Sequence, residues 1–274
     1  MIEASIALLF GLLIGSFLNV CIYRWPLDLS VVKPRSHCIA CQKGIAWYDN
    51  IPLVSFIVLG GQCRYCHARI RFRYPVVELT TGLLFFYWVY RAATDPAHFP
   101  FALAAKMCIF TAMLVALVFC DLEERILPDE FTLGGTLVGL VFAAFVPVPD
   151  VYAPALLSYM GVSPGRVSSV LESALGAGLP TLLLWGAGWI YEKVRHREGL
   201  GLGDVKLIAL VGAFLGMGGA LETLIIGSVS GSILGYAYIK LTHKDASIYE
   251  LPFGTFLGLA ALLVAFLRVS APPR

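Results

Sequence analysis

The sequence predicts an all-α polytopic membrane protein of about eight transmembrane helices, with a small zinc-ribbon-like insertion after the first helix. Hydrophobic residues make up 58% of the 274 residues and charged residues only 14%, whereas soluble domains average ~45–50% apolar and ~25% charged. The mean hydropathy is +0.80. Apolar segments of about the length that crosses a bilayer recur along the chain. A long polar segment at 24–75 separates the first of them from the rest.

The apolar segments define the predicted helices and domains. They lie at 4–23, 76–91, 101–120, 131–148, 168–191, 204–220, 222–241 and 252–269. The first is predicted to be a retained span, because a secretory signal has a basic residue before its apolar core and none precedes this one. We therefore expect a first helix over 1–23, a separately folded loop over 24–75 and a helical core over 76–274. We expect the lipid bilayer as a partner and no nucleic acid.

The basic residues predict the orientation. The loop at 24–75 contains eight basic residues and only two acidic ones. The basic residues are Arg24, Lys33, Arg35, Lys43, Arg64, Arg69, Arg71 and Arg73, and the acidic ones are Asp28 and Asp49. By the positive-inside rule, this loop is predicted to be cytoplasmic. Alternating the remaining spans places the loops at 121–130, 192–203 and 242–250 on the same side.

Four cysteines in the polar loop predict a metal site. Cys38 and Cys41 form one C-x-x-C pair, Cys63 and Cys66 form another, and 21 residues separate the pairs. Two such pairs are typical of a zinc ribbon, in which four thiolates form a tetrahedral structural site. Two disulfides or a redox dithiol are the alternatives, but the reducing cytoplasm disfavours stable disulfides.

Two aspartates lie where long apolar segments meet polar ones. Asp121 follows the apolar run at 101–120, and Asp204 follows the glycine-rich run Gly199-Leu-Gly-Leu-Gly203. An ionisable side chain at the edge of a span is costly, which makes it a functional candidate. The predicted topology places both aspartates at the cytoplasmic face.

Paired carboxylates are the minimal constellation for activating a water molecule. In an aspartic peptidase the ionised carboxylate takes a proton from the attacking water, and the protonated one polarises the scissile carbonyl. The glycines before Asp204 allow close approach of another chain, and Pro128 disfavours helix at Leu127, after Asp121. Helix capping is the alternative: it explains Asp204 at a helix start, but the helix dipole disfavours Asp121 at a helix end.

Several motifs together resemble one family. Gly201-Leu-Gly-Asp204 is similar to the G-x-G-D motif of intramembrane aspartic proteases, which include presenilins and signal peptide peptidases. Asp121 with Ile126-Leu-Pro-Asp129 resembles the first motif of the bacterial branch, the type IV prepilin peptidases. Gly15-Ser-Phe-Leu-Asn-Val20, the tetracysteine loop and Tyr74-Pro-Val-Val-Glu78 also resemble that family, so the likeness covers nearly the whole chain in order.

The resemblance implies an activity and a location. Family members cut the basic leader from prepilins and from pseudopilins of type II secretion, and many then methylate the new amino terminus with S-adenosylmethionine. The resemblance implies that Asp121 and Asp204 are catalytic, that Asp129 has a supporting role, and that the chain lies in a bacterial inner membrane. No sequence motif identifies residues that bind S-adenosylmethionine.

Other polar residues have two interpretations each. Asn19 either bonds a neighbouring helix or contributes to methyl transfer, and Glu78 is either a first-turn carboxylate or a site for the substrate's amino group. Lys206 either lowers the pKa of a nearby carboxylate or extends its amine to water. We expect Lys106 to extend its amine to water. Cys120 is adjacent to Asp121, but with no evident base nearby it is predicted to be a small buried hydrophobe.

Three functional hypotheses follow. The first is an aspartic peptidase with methyltransferase activity, or a peptidase alone. The second is an ion- or proton-coupled transporter, which the predicted position of both acids at one face disfavours. The third is an assembly protein that uses its zinc ribbon to bind a partner, and it leaves the aspartates unexplained.

Overall fold

The fold was analysed in a computed structural model that describes residues 1–148, 158, 159, 161, 165–196, 200–242 and 251–270. Within these ranges, regular secondary structure is helical apart from two isolated antiparallel bridges. The helices are α1 Ile2–Arg24, α2 Val54–Val58, α3 Arg73–Thr94, α4 Phe101–Glu124, α5 Asp129–Ala143, α6 Arg166–Arg195, α7 Leu202–Thr242 and α8 Phe253–Ser270. Short 3₁₀ turns cover Trp25–Leu27 and Trp47–Asn50.

All-helical architecture is confirmed for the described residues, but the predicted number of eight spans is not. Four helical stretches are long and apolar enough to cross a membrane: Ile2–Leu27, Phe101–Glu124, Arg166–Arg195 and Leu202–Thr242. Helix α8 is shorter, and α5 has only 15 residues. The segments predicted at 204–220 and 222–241 are assigned to the single element α7, with non-helical backbone at Gly216.

Residue contacts divide the chain into two compact units, unit 1 at Met1–Ala116 and unit 2 at Leu117–Arg274. In unit 1, α1 packs along α3, and a Cβ atom on Gly15 would lie 2.7 Å from the Glu78 Cα atom. Only glycine permits the helices to approach this closely. Lys106 does not extend to water as we expected, because its side chain is fully buried in α4.

In unit 2, α7 reverses direction near Gly216, whose φ of 78° is accessible mainly to glycine. Asp204 begins the first half of the helix, and Gly231 in the second half packs against Phe256, the neighbour of Thr255. Thr255 contacts Asp121, with which Asp204 interacts electrostatically. A straight helix would separate residues 204 and 231 by about 40 Å. The second half therefore returns toward the start of the first.

The first half of α7 forms the centre of unit 2. Its apolar residues from Leu207 to Leu215 are buried around the helix, apart from the half-buried Ala209, as expected for a helix enclosed on nearly all sides. A Cβ atom on Gly212 would lie 1.9 Å from the Gly176 carbonyl oxygen, so α6 and α7 are in backbone contact there. Gly227, Gly231 and Gly235 recur at four-residue spacing on one face of α7, and this face lies against α8 and against Leu251, two residues before α8.

Candidate active site and metal centre

Asp121 lies in the last turn of α4 and is 5% exposed. Its Oδ2 atom accepts hydrogen bonds from the Thr255 backbone N–H at 2.5 Å and from the Thr255 hydroxyl at 2.8 Å. Thr255 is in the first turn of α8, where N–H groups lack partners within the helix and the dipole favours negative charge. The start of α8 therefore fixes one oxygen of the Asp121 carboxylate.

Gly254 allows this contact. A Cβ atom at this position would lie 3.0 Å from Asp121 Cγ and 3.0 Å from Leu127 Cδ1. Such distances are shorter than ordinary van der Waals contact. Any larger residue would push Asp121 or Leu127 from its position.

Asp204 lies in the first turn of α7 and is partly exposed. The carboxyl groups of Asp204 and Asp121 are near enough to interact electrostatically. Leu127 connects the two sides of the site, since a Cβ atom on Gly203 would lie 3.1 Å from Leu127 Cβ. The structure thus brings both predicted aspartates together, one enclosed and one accessible. The capping alternative places Asp204 before its helix, whereas here it lies within the first turn.

Asp129 and Lys206 form an ion pair beside the aspartates. The Lys206 amine donates to Asp129 Oδ1 at 2.6 Å, joining the starts of α7 and α5. Residues two apart on a helix do not face each other, so Lys206 and Asp204 lie on different sides of α7. The lysine is therefore directed to Asp129, the residue for which we predicted a supporting role.

The four cysteines of the polar loop converge in unit 1. Their Sγ atoms all lie within 4.8 Å of one another. The two C-x-x-C turns have the same hydrogen bonds at equivalent positions: Gln42 N to Cys38 O matches His67 N to Cys63 O, and Cys38 N to Lys43 O matches Cys63 N to Ala68 O. The fifth residue of each turn, Gln42 and His67, has positive φ. Two nearly identical knuckles therefore present two thiols each.

This geometry fits a zinc ion. Zn–S bonds of about 2.3 Å place neighbouring sulfurs about 3.8 Å apart in a tetrahedron, and Cys38 Sγ lies 3.7 Å from Cys66 Sγ. The cysteines form no disulfide. Hydrogen bonds from the backbone N–H groups of Cys66 and Tyr65 lower the pKa of the Cys63 thiol to about 6, whereas desolvation and the neighbouring cysteines raise the pKa of the Cys66 thiol to about 11. Cys21, Cys108 and Cys120 are buried, which confirms the predicted burial of Cys120.

A cavity of about 410 Å³ lies in unit 1 beside the knuckles. Its lining includes Cys38 and Cys63 from the metal centre, Asn19 from α1 and Glu78 from α3. Glu78 is six residues into α3, beyond the first turn that one interpretation assigned to it. Glu78 Oε2 accepts the Leu53 N–H at 2.9 Å. A volume of this size is adequate for one drug-sized molecule.

Sequence reasoning missed Thr255, Gly254 and Leu53. Pro252, the first residue of the last apolar segment, indicates a helix start, and a small polar residue in the following turn could have identified Thr255 as a possible hydrogen-bond donor to Asp121. Leu53 gives no comparable signal, because its contact with Glu78 links residues 25 positions apart.

The fold and the site define a helical membrane protein with a paired carboxyl centre and a separate tetracysteine centre. The family model described as Bacterial Peptidase A24 N-terminal domain matches residues 9–92, and the model of the Type IV leader peptidase family matches residues 108–236. No solved structure matches the chain significantly.

Curated relatives share the sequence over most of this chain. A Prepilin leader peptidase/N-methyltransferase from Myxococcus xanthus is 39% identical over 85% of the chain and 62% of its own length. A protein of the same name from Stutzerimonas stutzeri is 32% identical over 93% of this chain and 87% of its own length. Another from Pseudomonas aeruginosa is 32% identical over 92% of this chain and 86% of its own length. The chain spans less than two thirds of the Myxococcus protein. It belongs to the type IV leader peptidase family, and this makes it a peptidase by class.

Proposed function

We propose that this chain cleaves the basic leader from type IV prepilins and from pseudopilins of type II secretion, using Asp121 and Asp204. The observation that carries the proposal is that these two carboxyl groups, at the end of α4 and the start of α7, are near enough to interact electrostatically, with Leu127 beside both Gly203 and Gly254. The names of the relatives support the substrate class.

The contacts of the two carboxyls assign their roles. Donors that point at a carboxylate stabilise its charged form, so Asp121, with two bonds from Thr255, is the ionised member. Asp204 is the protonated member. Asp121 takes a proton from water as the water oxygen attacks the scissile carbonyl carbon, and Asp204 donates its proton to the carbonyl oxygen. The tetrahedral intermediate then returns that proton to Asp204, the C–N bond breaks, and the leaving amine takes the proton held by Asp121.

The basic loops support a cytoplasmic site in the bacterial inner membrane. The leader of a prepilin is basic and stays on the inner side by the same rule that orients the enzyme. The substrate helix would lie in the membrane plane, with its scissile bond at the interface where water is available.

The tetracysteine loop at 24–75 is proposed to be a separate cytoplasmic insertion folded on structural zinc, with Cys38, Cys41, Cys63 and Cys66 as ligands. Residues 1–23 are the first span and 76–274 the peptidase core. This functional division differs from the packing division at Ala116, because α3 packs on α1.

The chain is also proposed to methylate the new amino terminus with S-adenosylmethionine, as the names of the relatives indicate for those proteins. The donor, when bound, supplies an electrophilic methyl group. The cavity of unit 1 has the volume for it, and aromatic side chains of Tyr23, Tyr65 and Tyr74 line its wall. These residues would hold and shield the donor.

The test is cleavage of a purified prepilin by detergent-solubilised wild type, Asp121→Asn and Asp204→Asn, with S-adenosylmethionine present and products read by intact mass. We expect a methylated mature product from wild type and no cleavage by either folded variant. Cleavage by either variant would reject the two-aspartate mechanism. Cleavage without methylation by wild type would reject only the transferase activity.

A further inference from the structure

The cavity of unit 1 contains two buried hydrogen-bond acceptors that peptide hydrolysis does not use. Glu78 is 7% exposed and Asn19 is 1% exposed, and both line the cavity. Their helices are in direct contact here, because the Asn19 amide donates to the Tyr74 carbonyl at 3.1 Å. This bond confirms the predicted interhelical role of Asn19, but it uses only the Nδ2 group of the amide and leaves Oδ1 for another partner.

Glu78 has acceptor capacity left. One oxygen accepts the Leu53 N–H at 2.9 Å. An ionised carboxylate offers about four acceptor sites. Among the residues that the structure describes, no basic side chain forms an ion pair with Glu78. A buried carboxylate without a cation is costly, so this position favours a cationic ligand.

Three basic residues of the cavity wall, Arg24, Arg64 and Lys43, are engaged elsewhere. Arg24 donates to the carbonyl oxygens of Ser30 and Pro34, both at 2.8 Å. Arg64 forms a bidentate pair with Asp49. The Lys43 amine lies 4.8 Å from the centre of the Tyr65 ring. These contacts hold three cations away from Glu78.

Asn19 provides the second acceptor. Its Nδ2 group donates to the carbonyl oxygens of Gly15 at 3.3 Å and Tyr74 at 3.1 Å. Because both partners are acceptors, the orientation of the amide is fixed and Oδ1 faces the other way. Oδ1 is buried and has no hydrogen-bond partner among the described residues. A buried polar atom of this kind generally requires a partner.

We propose that Glu78 and Asn19 form a receptor for a primary ammonium group, namely the free α-amino terminus of a cleaved substrate chain. The carboxylate provides the charge and Asn19 Oδ1 a second acceptor, and an ammonium group has three donors to satisfy them. This inference rests on the proposed methyl transfer and names the residues that select its acceptor amine.

The receptor also prepares the amine for reaction. One proton passes from the ammonium group to the Glu78 carboxylate, which leaves the nitrogen with a free electron pair. The nitrogen bonds to the donor's methyl carbon as the carbon–sulfur bond breaks and its electron pair stays on sulfur. The methylated amine is then a cation, and Glu78 loses its proton to water when the product leaves.

Binding tests this without the donor. Full-length wild type, Glu78→Gln and the control Glu3→Gln, an exposed glutamate in α1, are titrated by calorimetry with a peptide of the mature amino terminus and with its N-acetylated twin. Because hydrogen bonds to charged groups are strong, wild type and the control should bind the free-amine peptide about 10- to 100-fold more tightly than the acetylated one. Glu78→Gln should lose this preference. If Glu78 has only a structural role, Glu78→Gln will weaken the binding of both peptides equally, and that result would overturn the proposal.

Zinc content and thermal midpoint establish that each variant is folded. If Glu78→Gln does not fold, Glu78→Asp serves instead: its carboxylate is set back by one methylene, so the preference should fall several-fold, and an unchanged preference refutes the receptor. Methylation of the free peptide separates this proposal from the previous one. A wild type that prefers the free amine but never methylates it retains the receptor and loses the transferase. A wild type that methylates the peptide without preferring the free amine would reject the receptor and retain the transferase.

Discussion

Thr255 provides the sharpest test of how the aspartate site is held. Replacing it with valine keeps the shape of the side chain and removes the hydroxyl that donates to Asp121 Oδ2 at 2.8 Å. The backbone N–H, at 2.5 Å from the same oxygen, remains. The variant therefore removes one of two donors without creating a cavity.

The expected magnitude follows from these contacts. A hydrogen bond to a charged group contributes about 1.5–3 kcal/mol, and each 1.36 kcal/mol is about tenfold in rate. Because one donor remains, we expect the lower part of that range, about a 10- to 30-fold loss in kcat. KM should change little, since the contacts of Thr255 are with Asp121 and the Val118 carbonyl, within the protein.

The assay is the initial rate of prepilin cleavage over a range of substrate concentrations. Thr255→Ser keeps the hydroxyl and should remain near wild type. Thr136→Val is the matched control, because its hydroxyl bonds only within α5, to the Thr132 carbonyl. If Thr255→Val cleaves as fast as wild type, or if Thr255→Ser is as slow as valine, Asp121 is not held as we argue.

Three further predictions concern the metal, the helix packing and the ion pair. Cys63→Ala should lower the zinc content from one ion per chain to none, as measured by elemental mass spectrometry. It should also expose 24–75 to protease, since binding of structural zinc contributes about 10 kcal/mol or more to folding. An undiminished zinc content would contradict the four-thiolate site. Gly212→Leu should prevent folding of unit 2, as its Cβ atom would lie 1.9 Å from the Gly176 oxygen, and a normal thermal midpoint would refute that packing. Lys206→Met should cost less than about 1 kcal/mol by denaturant titration, because its pair with Asp129 is partly exposed; a larger loss would show that the pair is shielded from water.

Hydrophobicity and a few motifs predict much of this fold. The segment predicted at 4–23 forms α1 at Ile2–Arg24, and that at 252–269 forms α8 at Phe253–Ser270. The cysteine spacing predicts the converging thiols because a C-x-x-C turn is a local structure. Helix α4 ends at Glu124, before Leu127, where Pro128 disfavours helix, and Arg125 has left-handed backbone. Local chemistry determines each of these features.

Features that depend on distant contacts could not be predicted. We placed the break in the sixth and seventh segments at residue 221, but the non-helical backbone is at Gly216. Several glycines occur nearby, and the contact of Gly216 with Gly176 that distinguishes it is tertiary. The bond from Thr255 to Asp121 connects residues 134 positions apart, and the buried position of Lys106 depends on packing that periodicity does not encode.

The separation of charges around the aspartates follows from helix geometry. Asp204 and Lys206 are two positions apart, so they point to different sides of α7. Lys206 is paired with Asp129 at the start of α5, while Asp204 interacts with Asp121. A lysine bonded to either of these proposed catalytic carboxylates would keep it ionised and oppose the sharing of one proton between them. Asp121 is instead held by the uncharged donors of Thr255, which orient the carboxylate without neutralising it. In the proposed mechanism this arrangement leaves a proton available for transfer between the two acids, because Asp129 gives Lys206 a partner away from Asp204.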